Sequence, residues 1–482
     1  MAGMEKSIVI ECLRRRMRAV VAEDGFPCEY IVEYRDQPSV HKDAIYVGRV
    51  STVVRATQSA FIDIGMGKNA ILHADKGEAD IHPGALVTVQ IQREPPSPEK
   101  GPRVTRDIQL AGKLCVLSPF QKGIGISQKI TDEAQRKRLS ATAKSACPQG
   151  IGVIVRTQAQ DAPDQALIDE ILDLFKRWAA LEKKARGMTR PGCVLSSADL
   201  ADTLVRELLT PDVTRIVCDD AQLTERLRQA APQMSGRIEC YTGKLPVLDA
   251  MQLETRLQKA LSHKVLLKSG ASLVIDPCEA MTVIDVNSGK NVTKKDAGQT
   301  ALAVNLEAAE EIARQLRLRD IGGIIVVDFI DMTEEAHREA LLAALKSAVA
   351  RDRSRVHVGG LSPLGLCEMT RTALRRELRE VIGRRCACCG VGYRVSLREC
   401  AYEVLAQVRR RAWNQGNDGR YLLTASAPLA RAVGQLGEDF PCAALYAQVR
   451  EGGDEEQFTL TQLPEGENVS AYQQMDIRSV RI

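Results

Sequence analysis

Two apolar runs that each carry an aspartate near the end, MTVIDVN at 281–287 and GIIVVD at 323–328, bracket a long amphipathic segment from about Ala301 to Leu318. Short runs rich in Ile and Val read as strands and the segment between them as a helix, which is the pattern of an α/β layer. Asp285 and Asn287 lie two residues apart, so on a strand both side chains leave from one face. The run Ile324 to Val327 has no polar position and predicts a central strand covered on both faces. Asp328 ends that run, where α/β sheets place their ligands. A helix of ordinary length lets the two strands be neighbours and would bring Asp285 and Asp328 together. Two carboxylates about 4 Å apart repel by roughly 4 kcal/mol at an effective dielectric of about 20, so keeping both ionised calls for a cation. Hard oxygen donors select Mg²⁺ or Mn²⁺ over Zn²⁺, and a loosely held Mg²⁺ keeps waters that can attack a phosphodiester. On spacing alone, a second reading stands beside this one: each aspartate caps a turn and the pair never meets. Asp331, closer to a loop, reads as the N-cap of the next helix, expected from about Glu334 to Arg351.

At 482 residues the chain is too long for one core, so several domains are expected. From Tyr46 to about Ile91, short β-rich runs separated by Gly and polar turns suggest a small antiparallel barrel. In SAFIDIG, Ala60, Ile62 and Ile64 share one face, which puts Phe61 and Asp63 on the wetter one. An exposed aromatic near Arg55, Lys68 and Lys100 suits stacking of single-stranded nucleic acid; packing of Phe61 under a loop is the alternative. Further on, the run Ile151 to Val155 predicts a buried strand ending in Arg156 and Thr157, a guanidinium and a hydroxyl side by side that suit a phosphate or, more simply, a strand end meeting a carboxylate. A helix is expected from about Pro163 to Ala185, and residues 200 to 265 again alternate helix and strand.

The net charge of +4 identifies no partner, but residues 371 to 411 hold eleven Arg and four Glu with no Lys or Asp, a local +7. Arginine without lysine suits bidentate phosphate contact, and a salt-bridged helix face explains it equally well. No stretch reaches the roughly 18 apolar residues of a membrane span and the start lacks a signal-peptide core, so a cytoplasmic protein is expected. Of the 14 cysteines, most read as small buried residues, and only Cys386, Cys388 and Cys389, in CACCGVG, look chemical. Cys386 and Cys389 form a C-x-x-C pair, yet tetrahedral zinc needs four ligands and no second pair exists. Two chains each donating two thiolates would complete it; unliganded thiols or a redox pair are the other readings.

TVIDVNSGK, NLEAAEEIARQLRLRDIGGIIVVDFIDM and the cysteine pair together closely resemble the ribonuclease E/G family of bacterial endoribonucleases, as do YVGRV, AFIDIG, LAGKLCVLSP, IGISQKI, GVIVRT and CYTGKLPVL. With no long disordered tail, the chain is more similar to the ribonuclease G branch. The resemblance implies a multidomain α/β plus β-barrel architecture: an RNase H-like domain (1–37 and 197–263) with an inserted OB-fold RNA-binding barrel (38–116) and a 5′-sensor region (117–196), then a DNase I-like catalytic domain (264–383), a zinc link (384–394) and a small C-terminal domain (395–482). It also implies Mg²⁺ on Asp285 and Asp328 with Asn287 organising the site, and structural Zn²⁺ on Cys386 and Cys389, shared in a homodimer or dimer of dimers. Arg156, Thr157 and Arg355 would bind the RNA 5′-monophosphate, with Phe61 and Lys100 contacting RNA. The implied activity is hydrolysis of single-stranded RNA in rRNA maturation and mRNA turnover; a non-catalytic RNA-binding scaffold and a small-nucleotide phosphodiesterase are the alternatives. The chain departs from the family pattern in three places: Ile71 replaces a second barrel aromatic, Gln128 beside Lys129 replaces a sensor arginine, and the cysteine motif is one residue short, which brings in Cys388 as a possible ligand.

Overall fold

A computed structural model of the chain describes residues 5–35, 42–73, 81–94, 100–196, 200–288, 297–386, 392–415, 419–436, 444–464, 466–470 and 472–475. The chain divides into two compact units, Gln37–Thr210 and a second made of Met1–Asp36 with Pro211–Ile482. No helix among the described residues is long and apolar enough to cross a membrane.

In the Gln37–Thr210 unit, five strands close into a barrel: Ile45–Val54, Ser59–Asp63, Ala70–His73, Arg103–Thr105 and Leu86–Arg93, the last returning to pair with the first. Alternation drives closure, because Ala60, Ile62, Ile64, Leu72, Val89, Ile91 and Val104 all point into one apolar core. Gly101 lets the chain run tight against the barrel, since a Cβ there would meet the Asn69 carbonyl oxygen at 1.8 Å. A second sheet in this unit places Gly123–Ile126 parallel to Gly152–Val155, and helices Glu133–Ala146 and Asp164–Arg186 share its apolar core.

In the other unit, a five-stranded sheet has the order Ile238–Cys240, Val213–Cys218, Lys6–Cys12, Arg16–Glu23, Phe26–Tyr34. A six-stranded sheet runs Lys264–Leu266, Ser272–Pro277, Met281–Asn287, Gly323–Asp328, Leu366–Arg371, Val356–Leu361. Helices Ala297–Leu318 and Glu335–Val349 pack on one face of it, joining Ile312, Leu316, Leu341 and Leu345 to Ile284, Val286, Ile325 and Val327. The expectation of a strand covered on both faces is corrected here: Ile324 is 49% exposed and Met281 38%. An apolar run shows that a strand is central in its sheet, but both flanking helices lie on the same side, so the other face stays open. A third sheet, of Phe458–Leu463, Arg420–Ala425, Ala444–Val449 and Gln473–Met475, shares its core with helices Leu397–Gln415 and Ala427–Leu436.

Much of the local +7 is neutralised internally. Arg371, buried, donates to Asp352 at 2.8 Å and Asp320 at 2.7 Å, Arg384 meets Glu455 and Glu456, Arg394 meets Asp454 and Glu456, and Arg410 meets Asp249 and Glu403. These arginines are engaged in ion pairs, so the phosphate reading is set aside for them, but the expected helix face is corrected: only Arg410 is on a helix, while Arg371, Arg384 and Arg394 lie on strands, and all of their acidic partners except Glu403 lie outside 371–411.

Candidate active site

Strands Met281–Asn287 and Gly323–Asp328 are parallel neighbours, and Asp285 is the direct partner of Asp328. Paired positions on parallel strands send their side chains to the same face, about 4.8 Å apart at the backbone. Both carboxylates therefore emerge side by side on the open face, Asp285 half-buried and Asp328 exposed. Asn287, two residues on, donates from Nδ2 to Oδ2 of Asp285 at 2.5 Å. The three residues singled out from the two motifs thus converge, and the reading in which the aspartates never meet is excluded.

The backbone after Asp328 is held by a residue that sequence reading missed. Asn305, fully buried on helix Ala297–Leu318, donates from Nδ2 to the Ile330 carbonyl at 2.8 Å, and its Oδ1 accepts from the Ile330 amide at 3.0 Å. A buried amide satisfied twice by one peptide acts as a clamp. It also explains the correction at Asp331: the helix starts at Glu335 with Glu334 at the N-cap, because the clamped segment does not enter helical geometry earlier. Glu368 was missed as well. It pairs with Val326, two residues before Asp328, and adds an exposed third carboxylate to the same face. The two-residue period of LCEMTR is the signal that could have found it.

In the Gln37–Thr210 unit, Phe61 is 36% exposed while Ala60 and Ile62 are buried, as alternation requires. Ile71 stands directly across from Phe61, and Arg103 directly across from Ile71, so a ring, an aliphatic side chain and an exposed guanidinium line one face over three strands. Lys100 is exposed just before that third strand. Arg103 was missed, although it sits on the same period. In the second sheet of the unit, Arg156 and Thr157 follow the strand Gly152–Val155, and the Thr157 Oγ1 lies 3.0 Å from the Ser127 Oγ at the end of the parallel strand Gly123–Ile126. Gln128 and Lys129 are exposed beside it. Burial lowers the pKa of the Arg156 guanidinium, and Glu207, Glu170 and Asp43 pull the other way. Arg355, exposed ahead of strand Val356–Leu361, belongs to the other unit. The same unit holds another exposed aromatic, Phe26, with Arg256, Lys268 and Arg314 at 5.4, 5.6 and 5.4 Å from its ring centre.

Of the zinc-link cysteines, Cys386 is half-buried and its amide donates to the Gly392 carbonyl at 2.7 Å. Cys388 and Cys389 lie outside the described residues.

Paired carboxylates at the ends of adjacent parallel strands, in a chain that also carries a closed barrel with an exposed ring, define an α/β protein with neighbouring oxygen donors on an open sheet face. The model of the Ribonuclease E/G family matches residues 109–374, and the chain belongs to that family. It is 35% identical over 415 residues to "Ribonuclease G" of Escherichia coli (strain K12), covering 81% of this chain and 84% of that protein. It is 32% identical over 419 residues to "Ribonuclease G" of Haemophilus influenzae, covering 82% and 85%. Against "Ribonuclease E" of Nostoc sp. it is 36% identical over 374 residues, 73% of this chain and 54% of that protein.

Proposed function

We propose that the chain is an endoribonuclease that hydrolyses single-stranded RNA, acting in the cytoplasm in rRNA maturation and mRNA turnover, with a divalent cation held by Asp285 and Asp328. The observation that carries this reading is the register that sets those two aspartates side by side, joined by the Asn287 bond. The donor set fits Mg²⁺, since it is all oxygen, partly open, and contains no thiolate or imidazole that would favour a softer ion. When bound, such a cation supplies Lewis-acid stabilisation of the charge that builds on the phosphate.

The protein's own groups do the rest. Asn287 fixes the orientation of the Asp285 carboxylate, and Asn305 acts as a positioning residue by holding the chain just after Asp328. Phe61 stacks a base, and Lys100 and Arg103 follow the backbone. Arg156 and Thr157 bind a 5′-monophosphate through charge-assisted bonds, with Ser127 orienting the Thr157 hydroxyl. Products carry a 3′-hydroxyl and a 5′-phosphate. Zn²⁺ on Cys386 and Cys389 joins two subunits in a homodimer or a dimer of dimers. The test compares cleavage of 5′-monophosphorylated and 5′-hydroxyl oligoribonucleotides with and without Mg²⁺. Cleavage that needs Mg²⁺ and is faster with the monophosphate supports the reading, while binding without cleavage turns it into that of a scaffold. Elemental analysis with native mass measurement tests the zinc and the assembly.

A further inference from the structure

A second group of metal-type donors closes the five-stranded sheet. Strands Lys6–Cys12 and Val213–Cys218 are parallel neighbours with Ile10 opposite Cys218, so Cys12 and Cys218 leave from the same face. The two Sγ atoms and a carboxylate oxygen of Asp219 all lie within 4.8 Å of one another. A tetrahedral site with metal–sulfur bonds of about 2.3 Å has sulfur atoms about 3.8 Å apart, so the three donors stand within about 1 Å of ligating separation, a gap that a small χ1 adjustment closes.

The surroundings are built as well. The Asp219 Oδ1 accepts from the Cys12 amide at 2.7 Å, which holds the carboxylate over the end of the neighbouring strand. The Asp220 amide points at the Cys218 sulfur at 3.5 Å, the kind of N–H···S contact that stabilises a thiolate ligand. Cys218 is fully buried, and Cys12 and Asp219 are half-buried. Cys240, the direct partner of Cys218 on the outer strand Ile238–Cys240, shares its face but is not among the three donors that come within 4.8 Å of one another.

We infer that Cys12, Cys218 and Asp219 form a structural site for a soft divalent cation such as Zn²⁺, independent of the Asp285–Asp328 pair and of the Cys386–Cys389 motif. Thiolates select Zn²⁺ or Co²⁺ over Mg²⁺, which assigns different ions to the two sheets. The site ties together strands from segments about 200 residues apart in the chain, where a cross-link restricts the unfolded state most.

The test uses the full chain with Cys386, Cys388 and Cys389 all changed to Ser, reduced, stripped of metal and titrated with Co²⁺. Uptake of about one equivalent per chain with thiolate-to-cobalt charge-transfer absorption is expected, lost when Cys12→Ser and Cys218→Ser are added. No such absorption in the triple-serine protein overturns the site, as does an unchanged spectrum after Cys12→Ser and Cys218→Ser. Should the serine variants not fold, Asp219→Asn carries the test: the site requires about tenfold weaker Co²⁺ binding or more, and unchanged affinity overturns it.

Discussion

The six-stranded and five-stranded sheets each end a pair of adjacent parallel strands in side chains that can hold a metal, and they do so with opposite chemistry. Asp285 and Asp328 offer oxygen on a face left open to solvent, whereas Cys12 and Cys218 offer sulfur, with Cys218 wholly buried. Parallel pairing supplies the geometry in both places, because it brings two C-terminal strand ends to one edge. Donor softness and access then divide the roles. An exposed, weakly held hard cation suits exchange with substrate, and a buried thiolate site suits permanence.

The largest expected effect breaks the catalytic half of that comparison. Asp285→Asn or Asp328→Asn should lower single-turnover RNA cleavage by on the order of a thousandfold or more, while fluorescence anisotropy shows RNA still bound. Near-normal cleavage by either variant removes the role given to the open face.

Arg371→Met should come next, costing about 3–5 kcal/mol in urea unfolding, because it removes a buried guanidinium that bridges the carboxylates of Asp320 and Asp352. A small loss there would mean that the strand Leu366–Arg371 is held by its apolar contacts alone. On the barrel, Phe61→Ala should weaken single-stranded RNA binding by about 1–3 kcal/mol with folding intact. Unchanged affinity would return Phe61 to a packing role.

The smallest effect concerns the strand Arg16–Glu23. Glu23 accepts from Arg317 at 2.7 and 2.8 Å; burial alone would raise its pKa, but the bonds and charge of Arg317 outweigh that and hold it below the usual glutamate range. A carboxyl with a lowered folded-state pKa stabilises above its unfolded value and loses that contribution as pH falls through the folded one. Thermal stability should therefore drop below about pH 4.5, and Glu23→Gln should flatten that part of the profile. An identical acid limb in the variant assigns the drop to other carboxylates.

Legibility differed from residue to residue for physical reasons. The shared face of Asp285 and Asn287, the strand-end position of Asp328 and the exposure of Phe61 were legible because strand alternation and strand ends are local, and the residues themselves carry the pattern. Asn305 looked like one polar position near the start of a helix, yet it is fully buried and doubly bonded to Ile330. The arginines of 371–411 could not be sorted into phosphate ligands and internal ion pairs, because partners such as Asp249, Asp320 and Glu456 are distant in the chain. That Cys12 and Cys218 approach each other was likewise hidden, since they lie far apart in the chain.

By itself the order of amino acids determined which short segments become strands and helices, which side chains share a face, and what chemistry each can perform, since all of these follow from local periodicity and composition. Only the tertiary structure decided which strand ends meet, which face of the six-stranded sheet stays open, and which charges and thiols come close to one another. Those outcomes depend on sheet order and on helices packing to one side, and they are settled by burial summed over the whole chain.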